Sequence, residues 1–318
     1  MNKRKKTIRG ALAAILVIAV ALFVFVAIVA YQNNKPRFTV ADTLPDGGGK
    51  KVTVILLGGQ SNASGTSHDE YLKLTSTPEK YAEYEAGYDN VYINYFVSGT
   101  TSSAGFVKCT TRQGERLDFY GFGPELGLAE KLHEERPDEM FFIIKYAWGG
   151  TNLFEEWLSP SSKGKTGHLY KNFTAYVRDS LRYLEEKNYD VSIEAVCWMQ
   201  GESDSFSVEA SENYDVHLSN FIKDIRAEFS KHAAEDGIAF VDATIAYSPM
   251  YWVYGDAVNA GKLEVVGESE MNALIDTNAE GLICSEEPAD KPDIPHYDSQ
   301  SEIKLGHLFA AEVIKYLK

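Results

Sequence analysis

Cysteine is scarce: Cys109, Cys197 and Cys284 are the only three in 318 residues, and none belongs to a CxxC pair. That excludes a disulfide scaffold and gives no support to a zinc site or a thioredoxin-like motif. The seven histidines form no HExxH or HxH spacing, so the sequence implies neither a metal nor a cofactor. Positive charge is short as well. Residues 51–318 hold 23 Lys and Arg against 44 Asp and Glu, −21 in a chain whose net charge is −15. So acidic a body is repelled by phosphate backbones, which excludes nucleic acid as a partner and points to substrates that are neutral or at least not polyanionic. No internal repeat and no second linker interrupt these residues, so 51–318 reads as one domain.

Hydrophobic length is concentrated at the start. Residues 10–31 run for 22 positions without a charge, behind Lys3, Arg4, Lys5, Lys6 and Arg9. That run is long enough to span a bilayer, and longer than the apolar core of an ordinary secretory signal. The expectation is a single N-terminal transmembrane helix acting as a signal anchor. Residues 1–9 would lie in the cytoplasm and the acidic body outside it, at the cell membrane. Cleavage after Ile28-Val29-Ala30 would instead release a secreted body. Residues 32–50, with Pro36 and the Gly47-Gly48-Gly49 run, read as a linker.

Within the body, short apolar runs of strand type lie at 52–57, 91–95, 141–146, 193–199 and 238–241, with helical spacing at 123–134, 169–184, 214–229 and 301–317. Strands alternating with amphipathic helices predict an α/β sandwich with a mainly parallel sheet. Cys197, inside an apolar strand, is expected as a buried free thiol. Ligands of such sheets bind at the carboxyl ends of strands, so the residues after each strand carry the information.

The first strand runs into Gly58-Gly59-Gln60-Ser61-Asn62-Ala63-Ser64-Gly65. This small-residue turn can present Ser61 at the start of a helix, where backbone N–H groups stabilise an oxyanion. It is not a G-x-S-x-G elbow, because Ala63 stands at the last glycine position. A serine needs a base, and His296 has the setting for one, with Asp293 three residues earlier to fix its tautomer. Two further strand ends offer oxyanion donors: Gly149-Gly150, and Gln200 of Met199-Gln200-Gly201-Glu202. Glu202 competes with Asp293 as the acid. Each feature alone also has a structural explanation, as a turn glycine or a solvated loop, and Trp148 and Trp157 near these blocks read first as core.

Five blocks in order, GGQSN at 58–62, FGPELGLA at 122–129, KYAWGGTNL at 145–153, WMQGESD at 198–204 and DIPHYDSQSEIKLG at 293–306, resemble the SGNH (GDSL-like) hydrolase superfamily. Within it they are most similar to the sialate O-acetylesterase and carbohydrate esterase family 6 branch. The resemblance implies a flavodoxin-like three-layer α/β/α fold and a serine esterase that removes O-acetyl groups from carbohydrate without a cofactor. It makes Ser61 the nucleophile, His296 the base and Asp293 the orienting acid, with Glu202 as the rival. Ser61 N–H, a glycine of the Gly149-Gly150 pair and Gln200 would form the oxyanion hole. Met199 departs from the pattern, since related members often carry His there. The alternatives are a lipase- or thioesterase-like member of the same superfamily, or a catalytically silent glycan-binding protein.

Overall fold

The computed structural model describes residues 36–248 and 250–318. The run 10–31, expected to cross the membrane, lies outside them. Among the described residues no helix is long and apolar enough to cross a membrane. Phe38–Lys318 forms one compact unit.

Six strands make its centre: β1 (Lys51–Gly59), β2 (Val91–Val97), β3 (Phe141–Ala147), β4 (Asp190–Met199), β5 (Ala239–Ala243) and β6 (Asn272–Ile275). They pair in parallel in the order β2-β3-β1-β4-β5-β6. The two-residue segments Thr101–Ser102 and Val107–Lys108 join β2 antiparallel, completing an eight-stranded sheet. β1 sits in the middle because it is covered on both faces. Its Val54, Ile55, Leu56 and Leu57 are fully buried, which is why it reads as a continuous apolar run rather than an alternation. Five of the six strands coincide with the expected runs. β6 was not expected, because its four residues are mostly half-buried at the sheet's edge and its apolar run is only Ala273-Leu274-Ile275.

Adjacent strand residues project to opposite faces, and β3 shows what covers each. Lys145 reaches the first turn of the helix Glu125–Glu135, where its Nζ lies 2.6 Å from Glu125 with both side chains fully buried. Tyr146 packs on Phe173 of the helix His168–Glu186 from the other side. Helix Ser299–Ile314 joins the first layer through close backbone contact: a Cβ on Gly127 would lie 2.1 Å from the Ile303 carbonyl, and one on Gly306 2.2 Å from that of Pro124. Helix Tyr214–Glu228 joins the second, where Phe221 meets Phe173 and Trp198. The arrangement fits a three-layer α/β/α sandwich.

Among the described residues, four helices escaped the periodicity reading: Asp69–Thr75, Pro78–Ala86, Val208–Glu212 and Gly255–Val266. The second did carry a signal, since Thr77 caps it by accepting from Lys80 N–H and Pro78 occupies its first turn.

The linker expectation for 32–50 needs correction from Phe38 onward. Phe38 N–H donates to Asp179 at 2.6 Å and its ring meets Tyr176 edge-on. Thr43 and Leu44 both donate to the Tyr183 hydroxyl, and Gly47 and Gly49 donate to carbonyls just past helix His168–Glu186. The segment's Phe38 and Leu44 supply the apolar surface that docks it.

Candidate active site

The sheet register brings three turns to one edge. Gly59, the last residue of β1, is level with Ala147 of β3 and Met199 of β4. The turns that begin at Gln60, Trp148 and Gln200 therefore leave the sheet side by side, at the place where ligands of open α/β sheets bind. Gly59 has φ +138°, and a Cβ on it would lie 1.9 Å from the Met199 carbonyl. Only glycine fits there.

Ser61 opens a one-turn helix, Ser61–Ser64, and the Gln60 side chain does not cap it. The first N–H groups of the turn thus have no intrahelical partner. Gln60 Oε1 instead accepts from Ser203 N–H and Gln200 Nε2, which ties the nucleophile turn to the loop after β4.

His296 comes from the other end of the chain. Its Nδ1 lies 2.7 Å from Asp293 Oδ2, and His296 N–H donates to the Asp293 carbonyl, closing a turn. The hydrogen bond from His296 holds the Asp293 carboxyl below its usual range, against the opposing effect of burial. Asn62 fastens this loop to Ser61. Its Nδ2 donates to the Pro295 carbonyl at 3.4 Å and its Oδ1 accepts from Tyr297 N–H at 3.2 Å, one residue on each side of His296.

Glu202 takes a different place from Asp293. It is almost wholly buried, its Oε1 accepts from Asn62 at 2.8 Å, and burial pushes its carboxyl above the usual range. No hydrogen bond joins it to His296 among the described residues. The structure places Glu202 behind the Ser61–Ser64 turn and Asp293 on the imidazole.

The two glycines also separate. Gly149 N–H donates to Ser98 Oγ at 3.2 Å, whereas Gly150, at φ +69°, is exposed with nothing near its Cβ position. A Cβ on Gly149 would stand 3.6 Å from that of Ser61, so this turn borders Ser61. The Gln200 amide points elsewhere. Gln200 is fully buried, and its Nε2 donates to Asp204 Oδ2 at 2.6 Å and to the Thr151 carbonyl at 2.9 Å. The expectation of Gln200 as an oxyanion donor is corrected accordingly: its protons are committed to bracing the Gly149–Gly150 turn. Asp204 completes that brace by accepting from Leu153 and Phe154 N–H, while burial pushes its carboxyl up to about 6. Trp157 is core, edge-on to Trp198 at 5.1 Å.

Asn62 and Asp204 stood inside the recognised blocks without a role. Ser98 and Glu115, joined by a hydrogen bond beside Gly149, had no signal at all, because they lie in segments without periodicity. All three cysteines are free and buried, Cys197 among them. Among the described residues no group of three or more His, Cys, Asp or Glu is placed to hold a metal ion.

These turns and the carboxylate-bound imidazole meet at the carboxyl edge of a parallel sheet, and the protein is a carboxylic ester hydrolase. More particularly, the chain belongs to the family described as carbohydrate esterase, sialic acid-specific acetylesterase, which matches residues 51–315. It is thereby an O-acetyl esterase acting on carbohydrate. Its fold is similar to that of a protein from Arabidopsis thaliana (18% identity, TM-score 0.61, covering 86% of this chain and 100% of that one). It is also similar to that of NanS (15% identity, TM-score 0.62, covering 86% and 99%). A carbohydrate acetylesterase from Xanthomonas citri shares the fold at 16% identity and TM-score 0.53, over 83% of this chain and 56% of that longer one. No curated protein matches the sequence.

Proposed function

We propose that this chain cleaves sugar O-acetyl esters by acyl transfer, with Ser61 as nucleophile, His296 as base and Asp293 as the acid that orients it. The observation that carries the reading is the 2.7 Å contact of His296 Nδ1 with Asp293, in a loop that Asn62 holds beside Ser61. With Nδ1 engaged, Nε2 is the nitrogen left to take the serine proton. Ser61 Oγ bonds to the acetyl carbon and His296 accepts the proton, then returns it to the departing sugar oxygen. Water, deprotonated by the same imidazole, attacks the acetyl-serine and releases acetate. The oxyanion is met by Ser61 N–H and by the Gly150 N–H, since that of Gly149 is taken by Ser98.

The test is acetate release from O-acetylated glycans by the full-length chain. Ser61→Ala is expected to lower kcat by about 10⁶, the scale seen when a serine hydrolase loses its nucleophile. Turnover unchanged in that variant removes Ser61 from the mechanism.

The same proposal places the esterase outside the cytoplasm on an N-terminal anchor, on the strength of the basic cluster preceding the apolar run 10–31. Protease added to intact cells should release the acidic body. Protection until lysis reverses the orientation.

A further inference from the structure

Glu115 is a carboxylate at the nucleophile for which the mechanism above has no use. Its backbone is clamped to the turn that carries Ser61: Glu115 N–H donates to the Gly65 carbonyl at 2.9 Å, and Gly65 N–H donates to that of Ser61 at 2.9 Å. The side chain is turned in and 9% exposed. One oxygen, Oε1, accepts from Ser98 Oγ. That oxygen would stand 2.9 Å from a Cβ on Gly149, the same position that lies 3.6 Å from the Ser61 Cβ. Carboxylate and nucleophile therefore flank one glycine.

Among the described residues no cation pairs with it. The cations of the region are engaged elsewhere, Arg112 with Asp69 and Glu85, and Lys145 with Glu125. Arg116, the next residue, lies over the Tyr120 ring at 4.7 Å and donates to its hydroxyl. Among the described residues no donor reaches Glu115 Oε2. A carboxylate oxygen only accepts hydrogen bonds, and O–H donors make short, strong ones to it. A sugar ring presenting its acetyl ester to Ser61 carries O–H donors on neighbouring ring carbons.

We propose that Glu115 is a specificity-determining residue, whose free oxygen accepts from a hydroxyl of the sugar ring next to the acetyl ester. The substrates it selects are sugar acetates that keep a free hydroxyl on the carbon beside the ester, because a carboxylate oxygen only accepts and needs that O–H as its donor. The inference rests on the acetylesterase reading and adds the substrate class to it.

The experiment compares kcat/KM of the full-length wild type, Glu115→Gln and Ser98→Ala on three esters. These are an acetylated neutral xylo-oligosaccharide, an O-acetylated sialic acid, and 4-nitrophenyl acetate, which has no ring hydroxyl. In Glu115→Gln the ratio of neutral sugar ester to 4-nitrophenyl acetate should fall about 10- to 100-fold, the scale of one hydrogen bond to a charged group. Ser98→Ala, which removes the hydroxyl that Glu115 and Gly149 share but leaves the carboxylate, should leave that ratio closer to wild type than Glu115→Gln does. An unchanged ratio in Glu115→Gln, or the same change in both variants, makes Glu115 a brace and overturns the proposal. Wild type that cleaves 4-nitrophenyl acetate and neither sugar ester overturns the carbohydrate reading itself, and this inference with it.

Discussion

Asn62 donates to Glu202 at 2.8 Å across 140 residues of chain, so the carboxylate that rivals Asp293 is engaged in holding the residue next to the nucleophile. This divides the two acids by role. One meets the imidazole, and the other fixes the turn from behind.

The division predicts an order of losses. Asp293→Asn keeps the shape but supports the wrong imidazole tautomer, a loss of about 10⁴ in kcat by the serine-protease precedent. Glu202→Gln, which preserves an acceptor for Asn62, should cost far less. Folded variants with the reverse order would make Glu202 the acid.

Gln200→Ala tests the reassignment of that amide. Losing the donor to Asp204 and Thr151 should destabilise the chain by about 1–3 kcal/mol in urea unfolding. The folded variant should keep kcat within about tenfold, whereas removing a true oxyanion donor costs about 10²–10³. A loss on that larger scale restores Gln200 to the oxyanion hole.

Gly59→Ala should be severe, since the added methyl meets the Met199 carbonyl at 1.9 Å and the backbone stays at φ +138°. Destabilisation above about 2 kcal/mol is expected, with loss of activity as the nucleophile turn shifts. Wild-type stability would mean that β1 and β4 separate more readily than their pairing implies.

A pH effect on stability is expected at Glu130. Burial acts to raise its carboxyl, but hydrogen bonds from His307, Lys80 and Tyr84 outweigh it and hold it at about 2. In the unfolded chain a glutamate titrates near about 4.3. The sign follows from linkage: this stabilisation is full above about 4.3 and is lost as the pH falls toward about 2. Thermal unfolding of Glu130→Gln between pH 6 and about 2.5 should therefore show a lower Tm than wild type at the upper end and a converging one at the lower. A constant gap across that range would assign the difference to packing.

Several features were legible in the sequence for identifiable reasons. The five central strands read out because burial on both faces demands continuous Val, Ile, Leu and Phe, as in β1 and β3. Ser61, His296 and Gly149-Gly150 read out because each stands in a small-residue or proline-braced turn directly after a strand or before a helix. Asp293 was legible through proximity alone, three residues from its histidine, and its contact is local.

What sequence could not decide was the destination of side chains whose partners are far along the chain. Gln200 and Glu202 have the composition of an oxyanion donor and a triad acid, yet their distant partners, Thr151 and Asn62, are chosen by the order β3-β1-β4 that brings three strand ends level. Glu115 and Ser98 gained meaning only when Gly149 came between them and Ser61. Phe38 and Leu44 became part of the body only because Asp179 and Tyr183 face them from one helix. The sequence by itself determined five of the six central strands and the turns that follow them, since these follow from local spacing and burial. The sheet order decided which carboxylate, amide and glycine each of them meets, because a hydrogen bond depends on placement within about 3 Å, and only tertiary structure sets that.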